Sequence, residues 1–417
     1  MKADWVRKIA HEWPLALGTC LLLPSVSCQQ QKATPVTVPI VLDHNRMLVD
    51  AEIQRSDGTW RPARLWIDTG NPDFFISPDL ARDLQVGLYA GGSTPTITGE
   101  PLEVPPPRGV RIGGMPLDFR GVHSMVMYEP AWLFSTMFND ANLPSAVLKR
   151  YQVVFDYPAR KLTLAEPGAL EPRGVRAPAS IHPETGIVQI DAAVAGDTLS
   201  LALDNGASYS FVSDEALERL SQEHPGWPRS AGAVGCANIW GWWPGEPAWP
   251  VLRLPEIQWG PARLADVGLV GLPRFFPNGM DVGTWYSQKC ARPVAGFLGP
   301  NAIKAFRVTI DYANSAVYFE KTAEFDSHDM DLVGLTLRPM PEGKYLVIGV
   351  AEKDGQPAVA GVLPGDRLLE IGDLEVTGAT MGTVVDALRG KPGEVRVLVV
   401  ERDGERITVE GRVERFL

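Results

Sequence analysis

Asp68 and Asp204 occupy the same position in two copies of one sequence block. Leu65–Leu84 reads LWIDTGNPDFFISPDLARDL and Leu201–Leu220 reads LALDNGASYSFVSDEALERL. The copies align without a gap at an offset of 136 residues, which sets Gly70 on Gly206, Phe75 on Phe211 and Ser77 on Ser213. A repeated unit carrying a carboxylate in a tight glycine turn is one way for a single chain to bring two carboxylates together. Two such groups a few ångströms apart share one proton, because like charge raises the pKa of one of them. The ionised member can deprotonate a water while the protonated member polarises a carbonyl, the chemistry of hydrolysis without a covalent intermediate. Either triplet alone reads as a plain Asp-Gly turn; the matched pair carries the reading.

The elements around each aspartate repeat as well. Strands are predicted for Leu48 to Ile53 and Ala63 to Ile67 in the first half, and for Gly186 to Val194 and Leu199 to Leu203 in the second. Ser56-Asp57-Gly58 marks a hairpin turn. After each aspartate come an apolar strand and a short helix, Pro78 to Leu84 and Asp214 to Leu220, with Ser77 and Ser213 as N-caps. A second repeated block, Leu148–Glu166 and Ile303–Lys321, sets Asp156-Tyr157 on Asp311-Tyr312. Its apolar residues alternate, so both copies read as strands, with Asp156 and Asp311 turned away from the core in turn or surface roles. Pro167 to Pro178 connects the halves. Beyond Ala323 to Asp331 the pattern changes to a small α/β unit with a helix from Met381 to Arg389.

The net charge of −11 offers no basic footprint for nucleic acid. Hydrophobic content of 45% against 21% charged residues supports large cores and excludes global disorder. The six histidines are scattered and no CxxC or HExxH occurs, so no metal and no organic cofactor is expected. Trp240, Trp242, Trp243 and Trp249 fall in a proline-rich stretch, either an aromatic subsite or, more simply, packing for an insertion.

The first residues read as an export signal over 1–28. Lys2, Arg7 and Lys8 precede an apolar stretch from Trp13 to Val26 that is short for a bilayer span. Ser25-Val26-Ser27-Cys28 resembles a lipoprotein cleavage box with Ser25 where Leu is usual. Lipidation at Cys28 and plain signal cleavage are both open, and any membrane association would run through that lipid. The expected location is the bacterial periplasm or its membrane. In an exported chain Cys236 and Cys290 either form a disulfide or remain two small buried side chains.

A hydrophobic strand entering Asp68-Thr69-Gly70 and followed by an apolar strand resembles the aspartic proteases of the pepsin and retropepsin group. Gly296-Phe297-Leu298-Gly299-Pro300-Asn301 with Phe306 to Tyr312 is similar to the second half of bacterial retropepsin-like units. Ala360-Gly361-Val362-Leu363-Pro364-Gly365-Asp366 resembles a bacterial PDZ domain. The resemblance implies a mainly β chain. Two tandem acid-protease-type β-barrel lobes, 36–168 and 179–322, would form one bilobal unit, with a small α/β PDZ-like domain at 330–413. It implies an exported aspartic endopeptidase acting on a protein or peptide substrate, with Asp68 and Asp204 as the catalytic pair. Gly70 and Gly206 would form tight turns where a side chain would intrude, and Thr69 would brace the base of the site. A mobile flap would fall near Gly91-Gly92 and Thr94 to Gly99. Gly334-Leu335-Thr336-Leu337 would be the loop that takes a C-terminal peptide. The chain departs from the pattern at Asn205, where Thr or Ser is usual, at Asn71, and at Leu143-Pro144 where the second copy has Leu298-Gly299. These departures leave a second reading open, a non-catalytic peptide-binding pseudoprotease or envelope scaffold on the same fold.

Overall fold

The computed structural model describes residues 34–86, 102–127, 139–232, 234–238, 245–274, 282–353 and 355–417. The predicted export segment with Cys28, the predicted flap, and Trp240, Trp242 and Trp243 lie outside the described residues. Among the described residues no helix is long and apolar enough to cross a membrane.

The first half is built from strands β1 (Val36–Asp43), β2 (Arg46–Gln54), β3 (Trp60–Asp68) and β4 (Phe74–Ile76), then helix α1 (Pro78–Leu84). After three short strands at Leu102–Val104, Val110–Ile112 and Met115–Leu117 come β5 (Ser124–Val126), β6 (Ala141–Pro144), β7 (Gln152–Asp156) and β8 (Lys161–Ala165). The second half repeats the order with β9 (Val188–Val194), β10 (Asp197–Leu203), β11 (Ser210–Ser213) and helix α2 (Asp214–Glu223). It continues through β12 (Pro250–Trp259), β13 (Ala262–Leu272), β14 (Gly296–Leu298), β15 (Phe306–Asp311) and β16 (Ala316–Lys321). Both helices start where the sequence predicts. Ser77 Oγ accepts from Leu80 N at 3.1 Å and Ser213 Oγ accepts from Ala216 N at 3.3 Å. The Ser56–Gly58 turn closes with Gly58 in the left-handed region, at φ +86°.

Pairing makes the repeat three-dimensional. β3 runs parallel to β6, and β4 lies antiparallel to β6 and parallel to β5. The second half does the same: β10 runs parallel to β14, and β11 lies antiparallel to β14 and parallel to β13. In both halves the strand leading to the aspartate is therefore held by a strand from much later in the sequence. The repeated β7 and β15 pair with each other, antiparallel, with Val153 opposite Ile310 and Phe155 opposite Val308. They form the centre of a sheet ordered 175–178, β16, β15, β7, β8, β1, which joins the halves. Asp156 and Asp311 have the expected turn role, their Oδ1 atoms accepting from Ala159 N at 3.0 Å and Asn314 N at 3.2 Å, but Asp311 is buried and does not lie on the surface.

The C-terminal unit has β17 (Leu335–Met340), β18 (Lys344–Val350), β19 (Arg367–Ile371), helix α3 (Met381–Leu388), β20 (Val395–Arg402) and β21 (Glu405–Arg412). The sheet order is β17-β18-β19-β20-β21, which leaves β17 on an edge. A short strand at Asp331–Leu332 pairs with Glu414–Arg415 and closes the unit. This unit does not stand apart, as a separate α/β module would. One continuous apolar core runs from Phe211, Val251 and Val270 of the second half through Val234 and Ala237 to Leu335, Leu337, Val384 and Leu388. A buried ion pair also fastens the junction: Arg253 Nη2 meets Asp329 Oδ1 at 2.6 Å, with both side chains almost wholly out of solvent.

Candidate active site

Each aspartate is delivered by the end of a strand. Asp68 ends β3 and lies opposite Pro144 in the parallel register with β6. Asp204 follows β10, and its N–H donates to Leu298 O at 3.0 Å. The structure brings the two together. A Cβ placed on Gly70 would lie 2.4 Å from Asp204 Cγ, and one on Gly206 would lie 2.6 Å from Asp68 Oδ1. Each glycine therefore makes room for the carboxylate of the other half. Neither lies in the left-handed region, so close approach is the reason for glycine here, and turn geometry is not.

Both carboxyls are almost fully buried, at 7% and 4% exposure. Burial pushes both pKa values up, further for Asp68 than for Asp204; for Asp68 the nearby charge of Asp204 adds to the rise. The donor sets are unequal. Asp204 Oδ1 accepts from Gly206 N at 2.7 Å and Ala207 N at 3.2 Å, the Gly70 amide faces it, and the Arg46 cation holds its pKa down. Asp68 Oδ2 accepts from Asn142 Nδ2 at 3.2 Å, with the Trp66 side chain and the Gly70 amide as further donors. Asp204 is thus the better site for the negative charge and Asp68 for the shared proton.

The floor of the site is one-sided. Thr69 Oγ1 donates to Leu203 O at 3.0 Å and accepts from Asn205 N at 2.9 Å, so the first turn grips the second. Asn205 Oδ1 lies 3.5 Å from Thr69 Oγ1, at the limit of a hydrogen bond, and the buried Asn205 Nδ2 has no partner. Asn71 closes a local turn in which its Nδ2 donates to Asp73 O at 3.2 Å and its Oδ1 accepts from Asp73 N at 3.3 Å.

Several residues that matter here were not singled out by sequence reasoning. Arg46, buried at the start of β2, donates from Nε to Gly206 O at 2.7 Å. Asn142 holds Asp68 and also accepts from Phe75 N at 2.7 Å, tying β6 to β4. Tyr286, in the helix Val282–Ser287, is buried within the field of both aspartates, its ring centroid 3.7 Å from that of Phe297. A signal for two of them was present. In the aligned copies Arg46 falls on Ile187 and Asn142 on Phe297, polar groups where the other half is apolar. Trp249 is buried in the core that joins the second half to the C-terminal unit.

Two further expectations need correction. Cys236 and Cys290 do not pair: both are free, buried thiols. Cys236 belongs to a 3-10 turn at Gly235–Ala237 pressed toward α3, and Cys290 follows the helix carrying Tyr286; both lie in the same apolar core. Gly334-Leu335-Thr336-Leu337 is not an open cradle of amides. Leu335 N donates to Val333 O at 2.8 Å and Leu337 N to Asn238 Oδ1 at 3.1 Å. Gly334 is packed so tightly that a Cβ would lie 2.5 Å from the Phe416 ring. Among the described residues, no group of His, Cys, Asp or Glu is placed to hold a metal ion.

Residues 349–402 match the PDZ domain family, which covers β18 in part, β19, α3 and β20. The chain therefore carries a PDZ domain near its C-terminus within a mainly β architecture. PDZ domains as a class bind peptides by adding a strand to a sheet edge, which points to a protein or peptide partner. No curated protein matches the chain.

Proposed function

We propose that the chain is an aspartic-type endopeptidase whose two halves are acid-protease-type lobes, with Asp204 as general base and Asp68 as general acid. The observation that carries this reading is the mutual fit of the two turns, each glycine opening space for the other turn's carboxylate. The shared pairing pattern of the halves supports the lobe assignment. In the reaction, Asp204 takes a proton from water as its oxygen attacks the scissile carbonyl carbon. Asp68 gives its proton to the carbonyl oxygen, leaving a neutral tetrahedral diol. The proton on Asp204 then passes to the amine as the C–N bond breaks, and the diol returns a proton to Asp68. Arg46 and the amides of Gly206 and Ala207 keep Asp204 ionised before attack. We also place the protein outside the cytoplasm, on the basic and apolar residues before Cys28.

The test is cleavage of an unfolded protein such as casein by the full chain and by Asp68→Asn and Asp204→Asn, with and without pepstatin. Turnover by the parent, blocked by the inhibitor and lost in both variants, is expected. Undiminished cleavage by both variants would remove the dyad from the reaction. One observation favours a second reading, a peptide-binding pseudoprotease: the buried Asn205 Nδ2 without a partner makes the floor of the site asymmetric. That reading predicts peptide binding without turnover from acid to neutral pH.

A further inference from the structure

The PDZ sheet has β17 at one edge, and Leu335 and Leu337 of that strand share an apolar core with Val384 and Leu388 of α3 in the space beside it. That space is where a peptide strand would add. The three backbone positions of β17 that would donate an N–H to such a strand have none to give. Leu335 N–H donates to Val333 O, Leu337 N–H donates to Asn238 Oδ1, and Pro339 has no N–H. The apolar side of the space is filled too. Val234, Cys236 and Ala237 of the second half share a core with Leu335 and Leu337 of β17 and with Val384 and Leu388 of α3. A Cβ on Gly235, itself at φ +55°, would lie 2.9 Å from Leu332 Cδ1, so the segment passes close against the unit.

The same segment reaches toward the aspartates. Ser208 Oγ donates to Cys236 O at 2.9 Å, and His44 Nε2 donates to Asn238 O at 2.8 Å. Asn45 Nδ2 donates to Ser208 O at 2.9 Å, beside Arg46 on Gly206 O. Asp43, on the same hairpin, accepts from Gly382 N at 2.7 Å and Thr380 Oγ1 at 2.9 Å at the start of α3. The groove, the hairpin 43–46 and the turn 204–208 are thus one hydrogen-bonded unit.

We propose that the PDZ groove is held by the chain's own segment Val234–Asn238, so that an external peptide enters only by exchange with that segment. Exchange also takes the partner away from Ser208, two residues beyond Gly206. Its effect on turnover rests on the protease reading; the exchange itself does not. The test reads exchange without cleavage. Thiols of the full chain are pulse-labelled with a bulky polymer-linked maleimide, and Cys236 and Cys290 are quantified separately by mass spectrometry. An intramolecular ligand acts at an effective concentration in the millimolar range, so a synthetic copy of residues 232–240 with Cys236 replaced by Ala should compete at about 5 mM. Added to the unaltered protein, it should speed labelling of Cys236 severalfold and leave Cys290 within about twofold. Asn238→Ala, which removes the acceptor for Leu337 N–H, should speed Cys236 about fivefold without peptide, again sparing Cys290. Equal acceleration of both thiols in the variant marks general loosening, and the peptide arm on the unaltered protein then decides. No change at Cys236 with peptide, or a parallel change at Cys290, overturns the proposal.

Discussion

Replacing Gly70 by Ala tests the proposed dyad through geometry alone, because it adds one methyl group and removes no functional atom. The new Cβ would stand 2.4 Å from Asp204 Cγ and 2.7 Å from each of its carboxylate oxygens. Ordinary contact at such a site begins near 3.4 Å, so the Asp204 carboxylate must retreat by about 1 Å. Backbone strain does not contribute, since Gly70 is outside the left-handed region. A displacement of about 1 Å between reacting groups costs roughly 100-fold in rate. The overpacking itself costs about 1–3 kcal/mol of stability. The assay is the initial rate of hydrolysis of a fluorescently quenched casein, with thermal unfolding of the same samples to show that the variant is folded. Gly206→Ala should behave alike, because its Cβ would lie 2.6 Å from Asp68 Oδ1. Wild-type rates from either folded variant would refute the claim that each glycine makes room for the opposing carboxylate of a working dyad.

Under the protease reading Asp68→Asn should lose activity, and under either reading it should gain relative stability as pH rises. The native Asp68 pKa is raised above its unfolded value of 3.8, so the folded state binds more protons and stability falls as pH climbs from there through the raised native value. Asn cannot ionise, so the fall in Tm between about pH 5 and about pH 8 should be smaller in the variant than in the parent; an equal fall counts against the burial argument. Arg253→Met should lower stability by about 3–5 kcal/mol, because it strands the buried Asp329 carboxylate without its partner. The double variant Arg253→Met with Asp329→Leu should recover most of that loss, read as the urea midpoint at constant m.

Much of the scaffold was legible because the chain states it twice. The repeated blocks carry both aspartate strands, both capped helices and the strands β7 and β15; that β7 and β15 pair with each other is seen only in the fold. Periodicity reports burial of a face, and those elements are held by burial. The residues that tune the site were less visible because they break the repeat. Arg46 and Asn142 each stand where the other half has an apolar residue, so an alignment read for likeness passes over them. The hold of Val234–Asn238 on the PDZ edge was hidden for another reason. It depends on one side-chain acceptor, Asn238, meeting one backbone donor 99 residues away, in a stretch with no period of its own. The free thiols Cys236 and Cys290 belong to the same class, since counting cysteines gives no information on distance.

The asymmetry at Asn205 can be argued to a definite outcome. Thr69 reaches across with one hydroxyl that both donates to Leu203 O and accepts from Asn205 N, which uses its donor and one acceptor site. Asn205 returns no comparable bond: its Oδ1 is 3.5 Å from Thr69 Oγ1 and its Nδ2 is buried without a partner. An unsatisfied buried donor costs about 1–3 kcal/mol. Asn205→Thr removes that amide and supplies a hydroxyl of the kind already used on the other side. It should therefore raise stability by about 1 kcal/mol or more, read as the urea midpoint, with the dyad geometry kept. Under the protease reading the variant keeps or gains casein cleavage, because the backbone bond from Asn205 N to Thr69 does not depend on the side chain. A loss of stability in Asn205→Thr would show that the amide fills volume the hydroxyl cannot replace, and that packing at this turn outweighs the unsatisfied donor.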